Sequence, residues 1–154
     1  MSAAEPFRPS ELATLAAYGD GLEASPIGQR PYLLCSPGPG LEPEAAGRTA
    51  AWLRRRPCPV IGVLGPADAD ARLAEACDVL IRPGASLESL LGGITASPLA
   101  AMVLVQVLRA TEHMAVADAL VVESLAFATL QNGPEFRAWL AARETAEPPL
   151  AGKG

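Results

Sequence analysis

Residues 59–81 read PVIGVLGPADADARLAEACDVLI, and the order of element types in this stretch sets the fold class. Val60, Ile61, Val63 and Leu64 form a β-branched apolar run that reads as a buried strand, broken by Gly65-Pro66. Asp68 and Asp70 are short acceptors suited to the first turn of a helix, where unpaired backbone N–H groups favour negative charge. Residues 71–77 are rich in Ala, Leu and Glu and predict that helix. Val79-Leu80-Ile81 reads as a second buried strand, ended by Pro83-Gly84. Strand, short helix, strand is a βαβ unit, normally right-handed and covered on both faces, so that its strands are apolar throughout instead of alternating.

Working outward, 154 residues make one domain by length, with half the residues apolar and 19% charged, which excludes a disordered chain. Aromatic residues are only 5%, so Ala, Leu and Val must build the core. A net charge of −5 argues against non-specific nucleic-acid binding and against an anionic membrane surface. Lys153 is the single lysine beside eleven arginines, which with the Ala, Gly and Pro content we read as genomic codon bias. Cys35, Cys58 and Cys77 are odd in number, with no C-x-x-C or histidine partner and no metal-ligand spacing, and read as buried thiols of a reducing cytosol. The N-terminus carries Glu5, Pro6 and Pro9 and no apolar h-region, so a cytoplasmic location is expected. The longest apolar run, residues 99–108, is interrupted by Gln106 and too short to span a membrane.

In chain order, residues 1–9 read as a loose arm, Ser10 as the cap of a short helix at 11–18 closed by Gly19, and residues 20–31 as a loop. Residues 32–35 are a short apolar strand, followed by Ser36-Pro37-Gly38-Pro39-Gly40. This is a structural loop and not a phosphate loop, because two prolines remove backbone donors and no G-K-[ST] follows. Residues 42–56 predict a helix with Pro43 in its first turn, Glu42 and Glu44 at the N-terminal end and Arg54, Arg55 and Arg56 at the C-terminal end. The arginines have two readings, compensation of the helix dipole, which we favour, and an anion site. Residues 86–91 make a helical turn ended by Gly92-Gly93. Ser97-Pro98 opens a helix to His113 that is apolar nearly all round and therefore expected to be buried on several sides. His113, the sole histidine, reads as a helix-end cation. Further helices are expected at 117–131, closed by Asn132-Gly133, and at 134–144. The organisation expected is an arm and short helix (1–31), a βαβ core (32–93), a helical region (94–144) and a flexible tail (145–154).

The central stretch also resembles the signature of the crotonase (enoyl-CoA hydratase/isomerase) superfamily, in which a strand of the type P-V-I-A-A-V precedes N-G-x-A-x-G-G-G, a helix ending in A-C-D, and a strand. Pro59-Val60-Ile61, Gly65-Pro66-Ala67 and Ala76-Cys77-Asp78 occur in that order. Farther on, Ile94, Ser97-Pro98-Leu99-Ala100-Ala101, Glu123-Ser124-Leu125-Ala126-Phe127 and Gly133-Pro134-Glu135-Phe136 follow the family's C-terminal pattern. The resemblance covers residues 32–144. It implies a crotonase-like α/β fold, an acyl-CoA ligand, and C-terminal helices that pack at trimer contacts. It also implies backbone N–H groups holding a thioester enolate, with Gly65 and Ala67 as candidate contacts to the acyl-CoA; the anion reading of the arginines would set Arg56 near the CoA phosphates.

Two departures bear on activity. The family's G-G-G is replaced by Asp68-Ala69-Asp70-Ala71, which sets carboxylates beside the position of a developing oxyanion. The family's long insert with its catalytic glutamate is reduced to residues 82–93, in which Glu88 is the only carboxylate. Acid–base chemistry would have to use Asp70, Glu75 or Glu88. Three functions follow. The first is a non-catalytic crotonase-like protein acting through oligomerisation, with itself or a full-length crotonase paralogue, or through acyl-CoA association. The second is an active hydratase or isomerase with a rearranged site, and the third an unrelated α/β interaction domain.

Overall fold

The computed structural model describes residues 5–19, 30–66, 68–82 and 86–144. Its elements in chain order are α1 (Pro9–Tyr18), β1 (Leu33–Cys35), α2 (Pro43–Arg54), β2 (Val60–Val63), α3 (Ala71–Glu75), β3 (Val79–Ile81), α4 (Leu87–Ala96), α5 (Pro98–Thr111), α6 (Val116–Gln131) and α7 (Pro134–Glu144). The fold is α/β. The three strands form one all-parallel sheet in the order β1-β2-β3, with Cys35 opposite Gly62 and Gly62 opposite Leu80. The central βαβ unit stands where the apolar runs and their breakers place it, with strand ends one residue shorter: Tyr32 and Leu64 lie outside, although the Leu64 N–H still donates to the Ile81 carbonyl at 2.9 Å.

Local chemistry starts the connecting helices. Pro43 occupies the first turn of α2, and Glu44 pairs with Arg48 one turn on, at 2.6 Å. Asp70 caps α3, its Oδ1 accepting the N–H groups of Arg72 and Leu73 at 2.9 and 3.2 Å. Asp68, the other candidate for that first turn, precedes the cap.

The two sheet faces bury different sets. Leu33, Cys35 and Val60 pack with Leu12 of α1, Ala50 and Leu53 of α2 and Leu73 of α3. Leu34 and Ile61 pack with Ile94 of α4, with Leu87, Leu90, Leu91 and Ala101 against them. Strand alternation thus feeds two cores, and helices cover both faces of β1 and β2.

Several expectations are corrected by this packing. The N-terminal segment is no loose arm over its described residues. Phe7 bridges β1, donating its N–H to the Leu34 carbonyl and accepting from the Ser36 N–H, both at 2.9 Å, while Leu12 is fully buried. Ser10 is not the cap of α1. The helix begins after Arg8, whose N–H and guanidinium both reach the Glu11 carboxylate, at 2.8 and 3.0 Å. Arg8 therefore draws the Glu11 carboxyl below its ordinary range. The helical turn at 86–91 does not stop at Gly92-Gly93. It runs through both glycines to Ala96, because burial of Ile94 against Leu34 and Ile61 outweighs their helix penalty of about 1 kcal/mol each. The division between residues 93 and 94 consequently falls inside a helix.

The strand at 79–81 is present, but it is not buried. Val79 and Leu80 are 38% and 42% exposed, and of β3 only Ile81 packs against the core on the α4 side. α5 likewise ends at Thr111, short of His113, and is not buried on several sides: Val105 is its one buried residue, and Leu104 and Leu108 are more than half exposed. The readings at residues 20–29 (loop), 83–84 (strand end) and 145–154 (tail) fall outside the described residues.

The chain divides into two compact units, Met1–Gln106 and Val107–Gly154. The first holds the sheet with α1 to α4 and most of α5; Gln106 donates its side-chain N–H to the Pro57 carbonyl at 3.1 Å. In the second, α6 and α7 meet at a tight corner. The Gly133 N–H donates to the Leu130 carbonyl, and Arg137 donates to the Asn132 and Gly133 carbonyls, closing the end of α6. Phe136 stacks on Trp139, and Arg143 lies over the Trp139 ring. Among the described residues, no single helix is long and apolar enough to cross a membrane. α4 and α5 reach that composition only together, across a 105° bend, and the leucines of α4 are partly buried against the core.

Candidate functional site

In parallel α/β sheets, ligands bind beyond the carboxyl ends of the strands, where the loops gather. Here those are the loops after β1 (36–42) and after β2 (64–70), tied together by the Asp70 N–H, which donates to the Pro37 carbonyl at 2.8 Å. Pro37 is fully buried. Gly40 holds φ at +118°, a conformation that disfavours any residue with a Cβ, so this turn requires glycine. Gly65 is exposed, and a Cβ built on it meets nothing within 4 Å. The fold does not itself require glycine there. Ala67 lies outside the described residues.

An oxyanion hole needs two backbone N–H groups aimed at open space. Several around this edge are already engaged: Ser36 to the Phe7 carbonyl, Leu64 to the Ile81 carbonyl and Asp70 to the Pro37 carbonyl. Pro37, Pro39 and Pro66 have none.

The three candidate carboxylates are not brought together. Both backbone N–H groups that Asp70 accepts belong to its own helix. Glu75 is at the far end of α3, 4.0 Å from the Arg54 guanidinium and largely exposed. Glu88 stands in the first turn of α4, where it complements the helix dipole. Among the described residues no hydrogen bond or ion pair joins any two of them. Arg56 lies over the Trp52 ring at 4.2 Å, and its Nε donates to the Trp52 carbonyl at 3.2 Å. That geometry closes the end of α2 and fits the dipole reading of the arginine run. No cluster of three or more His, Cys, Asp or Glu side chains able to hold a metal occurs among the described residues.

Two arrangements were not apparent from spacing. Asp78 grips the first residue of β2 from both sides: its Oδ2 accepts the Val60 N–H at 2.7 Å, and its own N–H donates to the Val60 carbonyl at 2.8 Å. The aspartate of the A-C-D signature is thus a strand clasp. Second, the sulfurs of Cys35 and Cys77 stand 3.8 Å apart. Both are thiols, Cys35 buried and Cys77 half-buried. Forty-two residues separate them, so only the parallel register places them together.

The geometry defines a small parallel α/β domain joined to a helical unit, with no converged acid–base pair among the described residues. No protein-family model matches the chain, and no curated protein or solved structure matches it.

Proposed function

We propose that this chain is a crotonase-like protein without hydratase or isomerase chemistry that acts by self-association through its C-terminal helices. The observation that carries this reading is α6: sixteen residues, none of them buried. Leu120, Val121, Leu125 and Phe127 are each more than half exposed, and Trp139 of α7 is 50% exposed. Exposed apolar surface of this extent marks a contact site, since leaving it in water is unfavourable at roughly 25 cal/mol per Å². A second copy of the chain fits better than a charged partner, because Asp118 and Glu123 are the only charged residues along α6 and offer little like-charge repulsion. The crotonase part of the reading rests on the order of the motifs at 59–78 and 94–136, on a parallel βαβ core that accommodates them, and on the contact role of the corresponding helices in that family. The engaged N–H groups and separated carboxylates favour loss of the chemistry.

The test of the contact is a Leu120→Glu/Leu125→Glu double variant. Both side chains are exposed, so the variant is expected to keep the wild-type circular dichroism and to lower the molar mass in light scattering to one chain, 15.9 kDa. An unchanged multimer would remove α6 from the contact. The chemistry is tested by incubating the protein with a medium-chain enoyl-CoA. No loss of enoyl-CoA is expected, whereas turnover that falls in Asp70→Asn, Glu75→Gln or Glu88→Gln would establish the active-enzyme alternative.

A further inference from the structure

We propose that Cys35 and Cys77 are a redox-modification site, a dithiol that hydrogen peroxide closes to a disulfide across the central strand and a small-molecule thiol reopens. The geometry begins with Gly62. Cys35 is its partner on one side of the sheet and Leu80 on the other. A Cβ on Gly62 would lie 2.9 Å from Cys77 Sγ and 2.7 Å from Leu80 Cδ2, so the missing side chain is what lets the Cys77 sulfur reach over β2 toward Cys35. The sulfurs are 3.8 Å apart and a disulfide bond is about 2.05 Å, so closure needs a movement of less than about 2 Å. Cys77 sits just beyond the five-residue α3, in the turn leading to the exposed strand β3, at the margin of the core cluster that holds Cys35.

The two thiols have different roles. Cys77 donates its S–H to the Leu73 carbonyl at 3.3 Å, which leaves Cys35 to donate toward the Cys77 sulfur. That hydrogen bond holds the Cys77 thiol below its ordinary range, with burial and Asp78 opposing it, and together with burial pushes Cys35 above its own. Cys77 is also the more exposed of the two. It is therefore the attacking residue and Cys35 the resolving one. The Cys77 thiolate, its proton released to water, attacks one peroxide oxygen. The O–O bond breaks, the sulfur becomes a sulfenic acid, and the departing hydroxide is protonated to water. The Cys35 sulfur then attacks the Cys77 sulfur, the S–O bond breaks, and the hydroxyl leaves as water with the Cys35 proton. Two thiols and one hydrogen peroxide thus give one disulfide and two water molecules. Dithiothreitol restores both thiols by exchange, becoming oxidised itself.

The test uses the full chain. After brief exposure to peroxide and denaturation, the titratable thiols are expected to fall from the three present to one, and peptide mapping should show Cys35 joined to Cys77. The Cys58→Ser variant should form the same bridge, and dithiothreitol should restore its two thiols. Before oxidation, iodoacetamide should label Cys77 of the native protein at lower pH than an ordinary thiol, whose pKa is about 8.5, while Cys35 stays unlabelled until the fold is opened. Three thiols retained, a bridge involving Cys58, or Cys77 accumulating as sulfinic acid with Cys35 still reduced would each overturn the proposal. Because the bridge is mapped in the wild-type protein, the result does not depend on whether a Cys35 variant folds, nor on the reading of the C-terminal helices.

Discussion

The Leu53→Ala variant is expected to lose about 3 kcal/mol of stability, within the roughly 2–5 kcal/mol range typical of buried leucine truncations. Leu53 is fully buried in α2 and belongs to the cluster that joins α1, α2, α3 and one face of the sheet. Truncation removes apolar area from that junction and leaves a cavity that β1 and β2, held in register by their ladder, are poorly able to close. At 154 residues, 3 kcal/mol corresponds to a fall in Tm of about 6–12 °C. Thermal unfolding must be compared at equal protein concentration, since the proposed self-association would couple stability to concentration. A loss below about 1 kcal/mol would mean that the α2 face of the sheet is not the main core.

The second large effect is expected at Asp78. Asp78→Ala removes the carboxylate that accepts the Val60 N–H, and Val60 is fully buried. A buried donor without its acceptor costs about 1–3 kcal/mol, and a charged acceptor places the expectation in the upper half of that range. Asp78→Asn keeps an acceptor oxygen in place and should lose less than half as much. Urea denaturation of the pair separates the clasp from a solvated surface carboxylate, for which both variants would sit within about 0.5 kcal/mol of wild type.

The central stretch was legible in the sequence because its punctuation is local. Gly65-Pro66 stops one strand, Asp70 caps the helix, and the apolar run at 79–81 makes the next strand. What escaped reading was set by residues distant in the chain. Gly92-Gly93 looks like a helix end until Ile94 is seen buried against Leu34 and Ile61. Phe7 looks like arm sequence until its backbone meets β1. The exposure of Val79 and Leu80 depends on which helices pack over β3, which composition does not reveal. The candidate site was less legible than the fold. Asp70, Glu75 and Glu88 are carboxylates near the right segments, but the structure engages the first as a cap and the second beside Arg54. The Cys35–Cys77 approach carries no sequence signal, because the spacing of 42 residues reflects a crossover and not a motif.

Self-association would cover the exposed apolar residues of α6 and α7 with a second copy of the same chain. Sedimentation equilibrium of the purified protein across about 1–100 μM tests it most directly. The mass expected at the upper concentrations is that of two or more chains, at least twice 15.9 kDa, dissociating on dilution if at all. A single species of 15.9 kDa throughout would contradict it.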